Sequence, residues 1–452
     1  MRKTAGVTHL TVFTRPAACG GDCLYCPKVP SLPKSYLPHS NIARHGLDYE
    51  AAGQVRYWWE QNRLRGGVGE KLEIIVLGGS FTAHPVEYQR RFLKGIYEAV
   101  DGEAPGADLE EVVRRHQESS GPRIIGITIE SRPNLLERRH LENLFRWGVT
   151  KVEIGVQSLD EDVLEFNERG HGVQAVIDAT RMVRDVGLKI GYHILFGMPG
   201  SSPEKDIETV RRVFSEAEFL PDHVKFYFCE MFRREFMKPR LVALFESGEW
   251  RPATREARVA LMKRVIPMVA SSTRISRVGR KVAGDEFEGE MIRLDRDRLE
   301  RSFGCRCVRC REPRLDEDVD SREGRIVEER LSGEEVHLEY RPVGGETCFG
   351  LLRLRLLAEE AIVRELHVYG REARRGETTP HQHRGVGKAL MAAAEAVASR
   401  EGRRRVRVSS GIGVRGYYGR LGYRLDESGW MVRPVGGKKK ENLREKRIAT
   451  KT

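Results

Sequence analysis

The 452-residue sequence has no apolar run of the roughly 18–20 residues that a membrane-spanning helix needs. Its first ten residues, MRKTAGVTHL, lack the apolar core of a signal peptide. We therefore expect no membrane contact and a cytoplasmic location. Cysteine is scarce, with eight residues, and six of these form two tight clusters. Clustered thiols in a chain expected in the cytoplasm favour metal sites over disulfides.

Acidic residues are outnumbered by basic ones, and the formal net charge is +12. Residues 438–452 contain seven Lys or Arg and two Glu, so this segment carries +5 and the remainder carries +7. A basic excess spread over the whole chain fits a polyanionic partner, with RNA or DNA first. The alternative interpretation is a charge-rich proteome, because 32% of all residues are charged.

From residue 8 to about 230 the sequence alternates short β-branched runs with amphipathic helical segments. This alternation predicts a parallel sheet with right-handed crossovers. Six strand–helix units, without a clear seventh or eighth, predict a partial β/α barrel rather than a closed one. The six predicted strands are His9–Thr14, Glu73–Leu77, Arg123–Ile129, Lys151–Gln157, Lys189–Phe196 and Val224–Cys229.

Three further segments follow the predicted barrel of residues 1–230. Residues 231–330 are less regular and more charged, and we interpret them as a linker domain that carries the second cysteine cluster. Residues 331–436 return to short strands and one helix, which predicts a small α+β domain. Residues 437–452 are poor in apolar side chains, which predicts a disordered basic tail. The fold class is therefore α/β, with a partial barrel joined through a linker to an α+β domain.

The first cysteine cluster follows the first predicted strand with the spacing C-x3-C-x2-C, at Cys19, Cys23 and Cys26. Three thiolates on one loop can hold three irons of a 4Fe–4S cluster and leave the fourth open to S-adenosylmethionine. The alternative is a structural zinc knuckle that lacks one ligand. Motif and context together favour the cluster. Candidate contacts to S-adenosylmethionine lie at the ends of the following strands, at Gly78, Gly79, Glu130 and Gln157. This half resembles the radical SAM superfamily, particularly its coproporphyrinogen oxidase-like branch.

A glycine-rich turn opens the helix of the α+β domain. Its backbone N–H groups and helix dipole suit a pyrophosphate, although a plain loop is the alternative. The run resembles motif A of the GNAT acetyltransferases, which implies acetyl-CoA as cofactor. In those folds the preceding strand pairs with pantetheine, and a later tyrosine hydroxyl lies near the thiolate leaving group. The corresponding residues are Gln382, Gly385, Val386, Gly387 and Lys388 in the turn, Glu365, Leu366, His367 and Val368 in the strand, and Tyr417 and Tyr418 later.

A radical SAM half followed by a GNAT half resembles the family of the Elongator catalytic subunit and its archaeal and bacterial relatives. Four strings carry the resemblance: CLYCP at 23–27, VLGGSF at 76–81, ELHVYG at 365–370 and SGIGVRGYY at 410–418. It implies that the chain uses acetyl-CoA and radical chemistry to form 5-carboxymethyluridine at the wobble position of tRNA. It also implies that Lys71 contacts acetyl-CoA. A homodimer or accessory subunits are further expected partners.

The second cysteine cluster, Cys305, Cys307 and Cys310, is similar to a structural zinc site in the linker of that family. Tetrahedral zinc needs a fourth ligand, and His367, Cys348 and His337 are the candidates. Two other functions stay open at this point: a protein lysine acetyltransferase with a structural iron–sulfur domain, and a non-catalytic RNA-binding module. Only 18 residues precede Cys19, whereas members of the family commonly carry a longer N-terminal extension associated with tRNA binding.

Overall fold

The computed structural model describes residues 7–40, 45, 47–67, 69–280, 286–288, 292–313, 323–370 and 385–435. Seven parallel strands form the first sheet, in the spatial order β1 to β7. They are β1 (Val7–Phe13), β2 (Lys71–Leu77), β3 (Arg123–Ser131), β4 (Val149–Gln157), β5 (Lys189–Phe196), β6 (His223–Phe228) and β7 (Arg274–Val278). The open parallel sheet confirms the predicted partial barrel.

Helices cover the outer face of this sheet. Alternate residues of each strand point outward, so Leu72, Ile74 and Val76 of β2 are buried in the main hydrophobic core. The side chains at the intervening positions of β2, such as Glu73 and Ile75, face the interior of the barrel. The covering helices are α1 (Ala51–Leu64), α2 (Val86–Asp101), α3 (Leu109–Glu118), α4 (Arg138–Arg146), α5 (Glu161–Phe166), α6 (Val173–Asp185) and α7 (Pro203–Ser215).

The barrel sheet extends beyond residue 230, which differs from the sequence-based expectation of six strands. Strand β7 pairs in parallel with β6, and it comes from the segment that we interpreted as the linker. The intervening residues form α8 (Pro239–Ser247) and α9 (Arg255–Val265). β7 is only five residues long and has arginines at its first and fourth positions, so its sequence carried too weak a strand signal. The boundaries at residues 230 and 330 remain predictions.

The linker continues with two short helices, α10 (Arg296–Ser302) and α11 (Val308–Arg311). A second, mixed sheet of seven strands follows, in the order β13-β14-β12-β11-β10-β9-β8. Only the β11–β12 pair is parallel. Its strands are β8 (Gly324–Arg330), β9 (Glu335–Pro342), β10 (Gly350–Leu356), β11 (Glu360–Val368), β12 (Arg405–Val408), β13 (Arg424–Leu425) and β14 (Met431–Pro434), with helices α12 (Val386–Arg400) and α13 (Arg415–Arg420).

The two sheets pack against each other without space for extra side-chain atoms. A Cβ added at Gly411 would lie 2.0 Å from the carbonyl oxygen of Ile125, before the middle of β3. A Cβ added at Gly187 would lie 2.5 Å from the Trp430 ring of the second domain. Glycine is therefore required at both positions.

None of the helices in the described ranges is long and apolar enough to cross a membrane.

A buried ionic network crosses the same junction. Asp222, before β6, receives two hydrogen bonds from the Arg364 guanidinium of β11, at 2.8 and 3.0 Å. Arg364 also donates to Glu335 of β9 at 2.8 Å. The Asp222 side chain also accepts the backbone N–H of Ile190 in β5. The network therefore fixes β11 of the second sheet relative to β5 and β6 of the barrel.

Candidate functional site

A cavity of about 640 Å³ extends along the inner face of the barrel. Its lining includes both ends of β4, from Lys151 to Gln157. At the carboxyl ends of the strands it is lined by Cys19, Cys23 and Cys26. At the opposite end it is lined by Glu365 and His367 of β11 in the second domain and by Tyr369, which follows that strand. One cavity therefore extends from the cysteine motif to strand β11 of the second domain.

The three cysteines lie on the loop after β1, and their spacing suits a cluster better than a single ion. Two sulfurs on one tetrahedral zinc stand about 3.8 Å apart, given Zn–S bonds of about 2.3 Å. In the described part of the chain, the linker cysteines have sulfurs within 4.8 Å of one another, whereas Cys19, Cys23 and Cys26 do not form such a group. Wider spacing is what separate irons of one cluster require. The three residues therefore fit a 4Fe–4S cluster.

Two buried guanidinium groups contact the middle cysteine. Arg132 Nη1 lies 3.3 Å from Cys23 Sγ, and Arg169 Nη1 lies 3.1 Å from the same sulfur. Burial alone would raise the pKa of the Cys23 thiol, but Arg169 and Arg132 outweigh it and hold that pKa below its usual value. Cys26 differs, because burial raises the pKa of its thiol. The arginines therefore favour the thiolate that iron binding needs at Cys23.

The structure brings together the residues predicted to contact S-adenosylmethionine. Gly79, Glu130 and Gln157 line the cysteine end of the cavity. Gly78 and Gly79 have φ angles of 128° and 95°, which favour glycine. A Cβ at Gly78 would also lie 2.1 Å from the Thr14 hydroxyl. Burial raises the pKa of Glu130. The contacts of these residues with a ligand remain predictions.

Charged side chains line the middle of the barrel. Lys151 Nζ lies 3.3 Å from Glu153 Oε1, and His193 Nε2 lies 3.1 Å from Glu153 Oε2. Glu130, Glu153 and His193 present ligand atoms within 4.8 Å of one another. However, the ammonium group of Lys225 also contacts Glu153. Burial alone would raise the pKa of Glu153, but Lys225 and Lys151 outweigh it and hold that pKa well below its usual value. The lysines thus already supply the charge that a cation would bring.

The far end of the cavity combines the second domain with the amino-terminal ends of the barrel strands. Burial alone would raise the pKa of Glu365, but Lys189 and Arg353 outweigh it and lower that pKa to about 2. Burial lowers the pKa of His367 to about 4, so its ring is neutral at pH 7. The Arg274 guanidinium lies 5.9 Å from the Tyr369 ring centroid. This end therefore holds a carboxylate, a neutral imidazole and several cations.

Lys71 is the first residue of β2 and pairs with Val7 and Arg123. It therefore lies at the opposite end of the strand from Gly78 and Gly79. The amino-terminal edge of the sheet, where Lys71 lies, is the edge nearer to the second domain. Its contact with acetyl-CoA remains a prediction.

Strand β11 separates from its parallel neighbour halfway along its length. It pairs with β12 only over residues 360–363, although it continues to Val368. The register with β10 also shifts between Arg353 and Leu354, which places Arg364 in a bulge. Beyond Val363 the backbone edge that faces β12 is therefore open. An extended pantetheine chain can pair with such an edge by the same hydrogen bonds that a further strand would make.

The predicted pyrophosphate turn lies at the start of α12. Gly385 has a φ angle of 88° and immediately precedes the helix, Val386 is buried, and Gly387 and Lys388 occupy the first turn. A Cβ at Gly387 would lie 2.7 Å from the Tyr417 hydroxyl and 3.6 Å from Val368. The structure thus brings the turn, β11 and Tyr417 together. Tyr418 is buried in the core of the second domain, and Leu366, Val368 and Tyr417 pack against that core. Gln382 lies outside the described residues.

The linker cysteines Cys305, Cys307 and Cys310 have sulfurs within 4.8 Å of one another. Hydrogen bonds from the Cys305 and Cys310 thiols lower the pKa of Cys307 to about 2. The three expected candidates for a fourth ligand have other contacts. Cys348 donates to the Gly350 carbonyl, His337 is hydrogen-bonded to Glu339, and the His367 ring packs on Tyr369.

Sequence reasoning missed Arg132, Arg169 and the charged interior of β4 to β6. Arg132 directly follows β3, two positions after Glu130, and both side chains line the cavity. Lys151 and Glu153 repeat this pattern in β4. Charges at alternate positions of otherwise apolar strands were therefore the available signal. The arginine contacts with Cys23 span 109 and 146 residues, which no local pattern encodes.

Comparisons with known proteins agree with both halves. The model of the Radical SAM superfamily matches residues 16–213. A protein of Dehalococcoides mccartyi named tRNA uridine(34) acetyltransferase is 34% identical over 94% of this chain and 97% of its own length. Human Elongator complex protein 3 is 33% identical over 94% of this chain and 84% of its own length.

The structural comparison covers both halves together. The solved structure of archaeal Methanocaldococcus infernus Elp3, with an N-terminal deletion, matches with a TM-score of 0.80 and 28% identity. The match covers 96% of this chain and 100% of that one. The resemblance inferred from the four sequence strings is confirmed. The chain belongs to the family of tRNA uridine(34) acetyltransferases and Elongator complex protein 3.

Proposed function

We propose that this protein modifies the wobble uridine of tRNA, using acetyl-CoA and S-adenosylmethionine to form 5-carboxymethyluridine. The observation that carries the proposal is the single cavity lined by Cys19, Cys23 and Cys26 at one end and by Glu365 and His367 at the other. A radical generated at one end and an acyl group delivered from the other can meet inside it without exposure to bulk water. The net charge of +12 suits the binding of tRNA, which is a polyanion. We further propose that the protein is located in the cytoplasm and that it works with accessory subunits.

A 4Fe–4S cluster with S-adenosylmethionine supplies a 5′-deoxyadenosyl radical when bound. The chain's own residues hold and orient these groups. Cys19, Cys23 and Cys26 provide three thiolates. Glu130 offers a carboxylate to the methionine amine, and the backbone carbonyls at Gly78 and Gly79 can approach it because no Cβ intervenes.

The second domain would bind acetyl-CoA between its two separated strands. Residues 364–368 of β11 offer a free backbone edge to pantetheine, and the amino end of α12 offers N–H groups and a dipole to the pyrophosphate. Burial raises the pKa of Tyr417, so its hydroxyl is protonated at pH 7. It can therefore donate a proton to a leaving thiolate. Tyr418 supports Tyr417 from the domain core, with ring centroids 5.2 Å apart.

A protein lysine acetyltransferase is the competing function, and the cavity argues against it. Glu365 and His367 of β11 face the barrel interior. A substrate lysine on a folded protein would have to enter between the two domains. A single nucleotide, turned out of an RNA loop, fits such an enclosed site better.

The function is tested by nucleoside mass spectrometry. Full-length protein, reconstituted with iron and sulfide without oxygen, is reduced and incubated with tRNA, S-adenosylmethionine and acetyl-CoA that carries ¹³C in its methyl group. We expect carboxymethyluridine that contains the label, and no labelled nucleoside from a tRNA with cytidine at the wobble position. Labelled protein lysines with unmodified uridine would instead support the acetyltransferase.

We propose further that the linker cysteines hold zinc, with Glu300 as the fourth ligand. Glu300 is 3% exposed, and its Oε2 lies 3.4 Å from Cys310 Sγ. A sulfur and an oxygen on one tetrahedral zinc stand about 3.5 Å apart, which the distance to Cys310 matches. The carboxylate lies more than 4.8 Å from at least one of the other two sulfurs, so it would turn toward the metal when zinc binds. Within the described part of the chain, Glu300 Oε1 is buried without a hydrogen-bond partner. Arg296 and Arg309 lie 3.7 and 3.8 Å from this carboxylate and would balance the charge of the site.

Replacing Glu300 with Gln is expected to weaken zinc retention against a chelator by at least about tenfold, because an amide is a poorer zinc ligand than a carboxylate. Metal content after dialysis and the visible spectrum of the cobalt-substituted protein provide the measurement. The control is Glu346→Gln, which alters a 62% exposed glutamate that pairs with Arg306. Equal zinc retention in the Glu300 and Glu346 variants would exclude Glu300 as a ligand.

A further inference from the structure

We propose that the buried guanidinium of Arg132 raises the reduction potential of the cluster by donating an N–H···S hydrogen bond to Cys23. Arg132 thereby makes the cluster easier to reduce, and it acts as a positioning and tuning residue rather than a ligand. The inference rests on the proposed function only in that Cys19, Cys23 and Cys26 hold an iron–sulfur cluster.

The position of the Arg132 guanidinium is fixed by contacts on several sides. The residue is 4% exposed, and its Nη1 lies 3.3 Å from Cys23 Sγ. Its Nη2 donates to the backbone carbonyl of Arg169, and its Nε lies 3.4 Å from Asn134 Oδ1. The cysteine loop packs directly on the group, because a Cβ at Gly21 would lie 2.0 Å from Nη1. The guanidinium therefore cannot leave the sulfur without moving the loop.

Cys23 differs from the other two cysteines in the groups around its sulfur. Arg169 Nη1 donates to the same sulfur at 3.1 Å, while Arg169 Nη2 is held by the Gly155 carbonyl at 2.5 Å. Cys26 Sγ instead lies 3.2 Å from the neutral Ser35 hydroxyl. Two positive charges thus converge on one of the three sulfurs, in a site that is 5% exposed at Cys23.

Reduction adds one negative charge to an iron–sulfur cluster. Hydrogen bonds to its sulfurs and nearby positive charge stabilise the reduced form more than the oxidised form, which raises the potential. Burial strengthens both effects, since fewer water molecules screen the charge. Arginine keeps its charge at every physiological pH, so this contribution is permanent. Arg132 directly follows β3 and is held there by Asn134, whose side-chain oxygen accepts from its Nε.

The test compares three variants of the full-length, anaerobically reconstituted protein. Iron content is measured first, and a potentiometric titration then follows the electron paramagnetic resonance of the reduced cluster, without S-adenosylmethionine, acetyl-CoA or tRNA. For Arg132→Met we expect the ratio of reduced to oxidised cluster at a fixed potential to fall at least tenfold. This corresponds to a midpoint about 59 mV more negative. Arg132→Lys keeps the charge but not the forked geometry, so we expect a smaller fall.

Arg277→Met is the matched control. Arg277 lines the same cavity, but its guanidinium is hydrogen-bonded to Tyr227, so the midpoint should change little. A fully loaded Arg132→Met variant with the midpoint of the unaltered protein would overturn the proposal. Loss of iron from both Arg132 variants would also overturn it, because Arg132 would then serve only to assemble the loop. The titration needs no substrate, so its outcome is independent of whether the enzyme modifies uridine.

Discussion

Replacing Cys26 with Ala is expected to eliminate carboxymethyluridine and the release of 5′-deoxyadenosine, while acetyl-CoA binding stays nearly normal. Two thiolates cannot hold the cluster with one open iron, whereas the residues proposed to bind acetyl-CoA lie on β11 and α12 of the other domain. Nucleoside analysis, deoxyadenosine release and calorimetric binding of acetyl-CoA provide the measurement. The control is Cys229→Ala, which removes a buried thiol outside the motif. Product from the Cys26 variant would refute the radical mechanism.

A variant of the other half makes the reciprocal test. Gly387→Leu is expected to block the binding of acetyl-CoA at the turn, because even the Cβ of the new side chain would lie 2.7 Å from the Tyr417 hydroxyl. This variant should cleave S-adenosylmethionine slowly, release deoxyadenosine and make no modified uridine. Gly419→Leu is the matched control, since a Cβ at that position would have no neighbouring atom within 4 Å. Normal product from the Gly387 variant would contradict the assignment of the turn to acetyl-CoA.

Replacing Asp222 with Ala is expected to lower the free energy of unfolding by about 3–5 kcal/mol, because the buried Arg364 and Arg353 guanidinium groups lose their shared partner. Both arginines belong to the second domain, so the junction between the sheets should open first. Urea denaturation and limited proteolysis provide the measurement. Asp178→Ala is the control, because that aspartate lies on the exposed face of α6. A stability equal to that of the control would show that the junction does not depend on this network.

The contribution of Asp222 also depends on pH. Burial alone would raise the pKa of Asp222, but Arg364 and Arg353 outweigh it and hold that pKa well below its usual value. A carboxyl with a lowered folded-state pKa stabilises the protein in full above its unfolded-state pKa of about 3.9. This stabilisation declines as the pH falls below about 4 toward the folded-state pKa. The difference between the unaltered protein and Asp222→Ala should therefore be constant near neutral pH and shrink in acid.

The sequence by itself determined the features that depend on neighbouring residues. Cys19, Cys23 and Cys26 lie within eight positions, so their spacing specifies three thiolates on one loop. The turn from Gly385 to Gly387 specifies a helix start with free N–H groups in the same way. The alternation of strands and helices specified the parallel sheet, because its periodicity is a local property of each segment. The family resemblance followed from these local strings.

Only the tertiary structure decided which distant residues meet. Arg132 and Arg169 reach Cys23 across 109 and 146 residues, and the Glu300 carboxylate lies beside Cys310. β7 joined the barrel although its five residues carry a weak strand signal. The packing of loops and helices around the barrel fixes the cysteine contacts, because their residues lie outside the strands and far apart in the sequence. The cavity likewise exists only because the second sheet packs on the barrel, so that β11 closes the end opposite the cysteines.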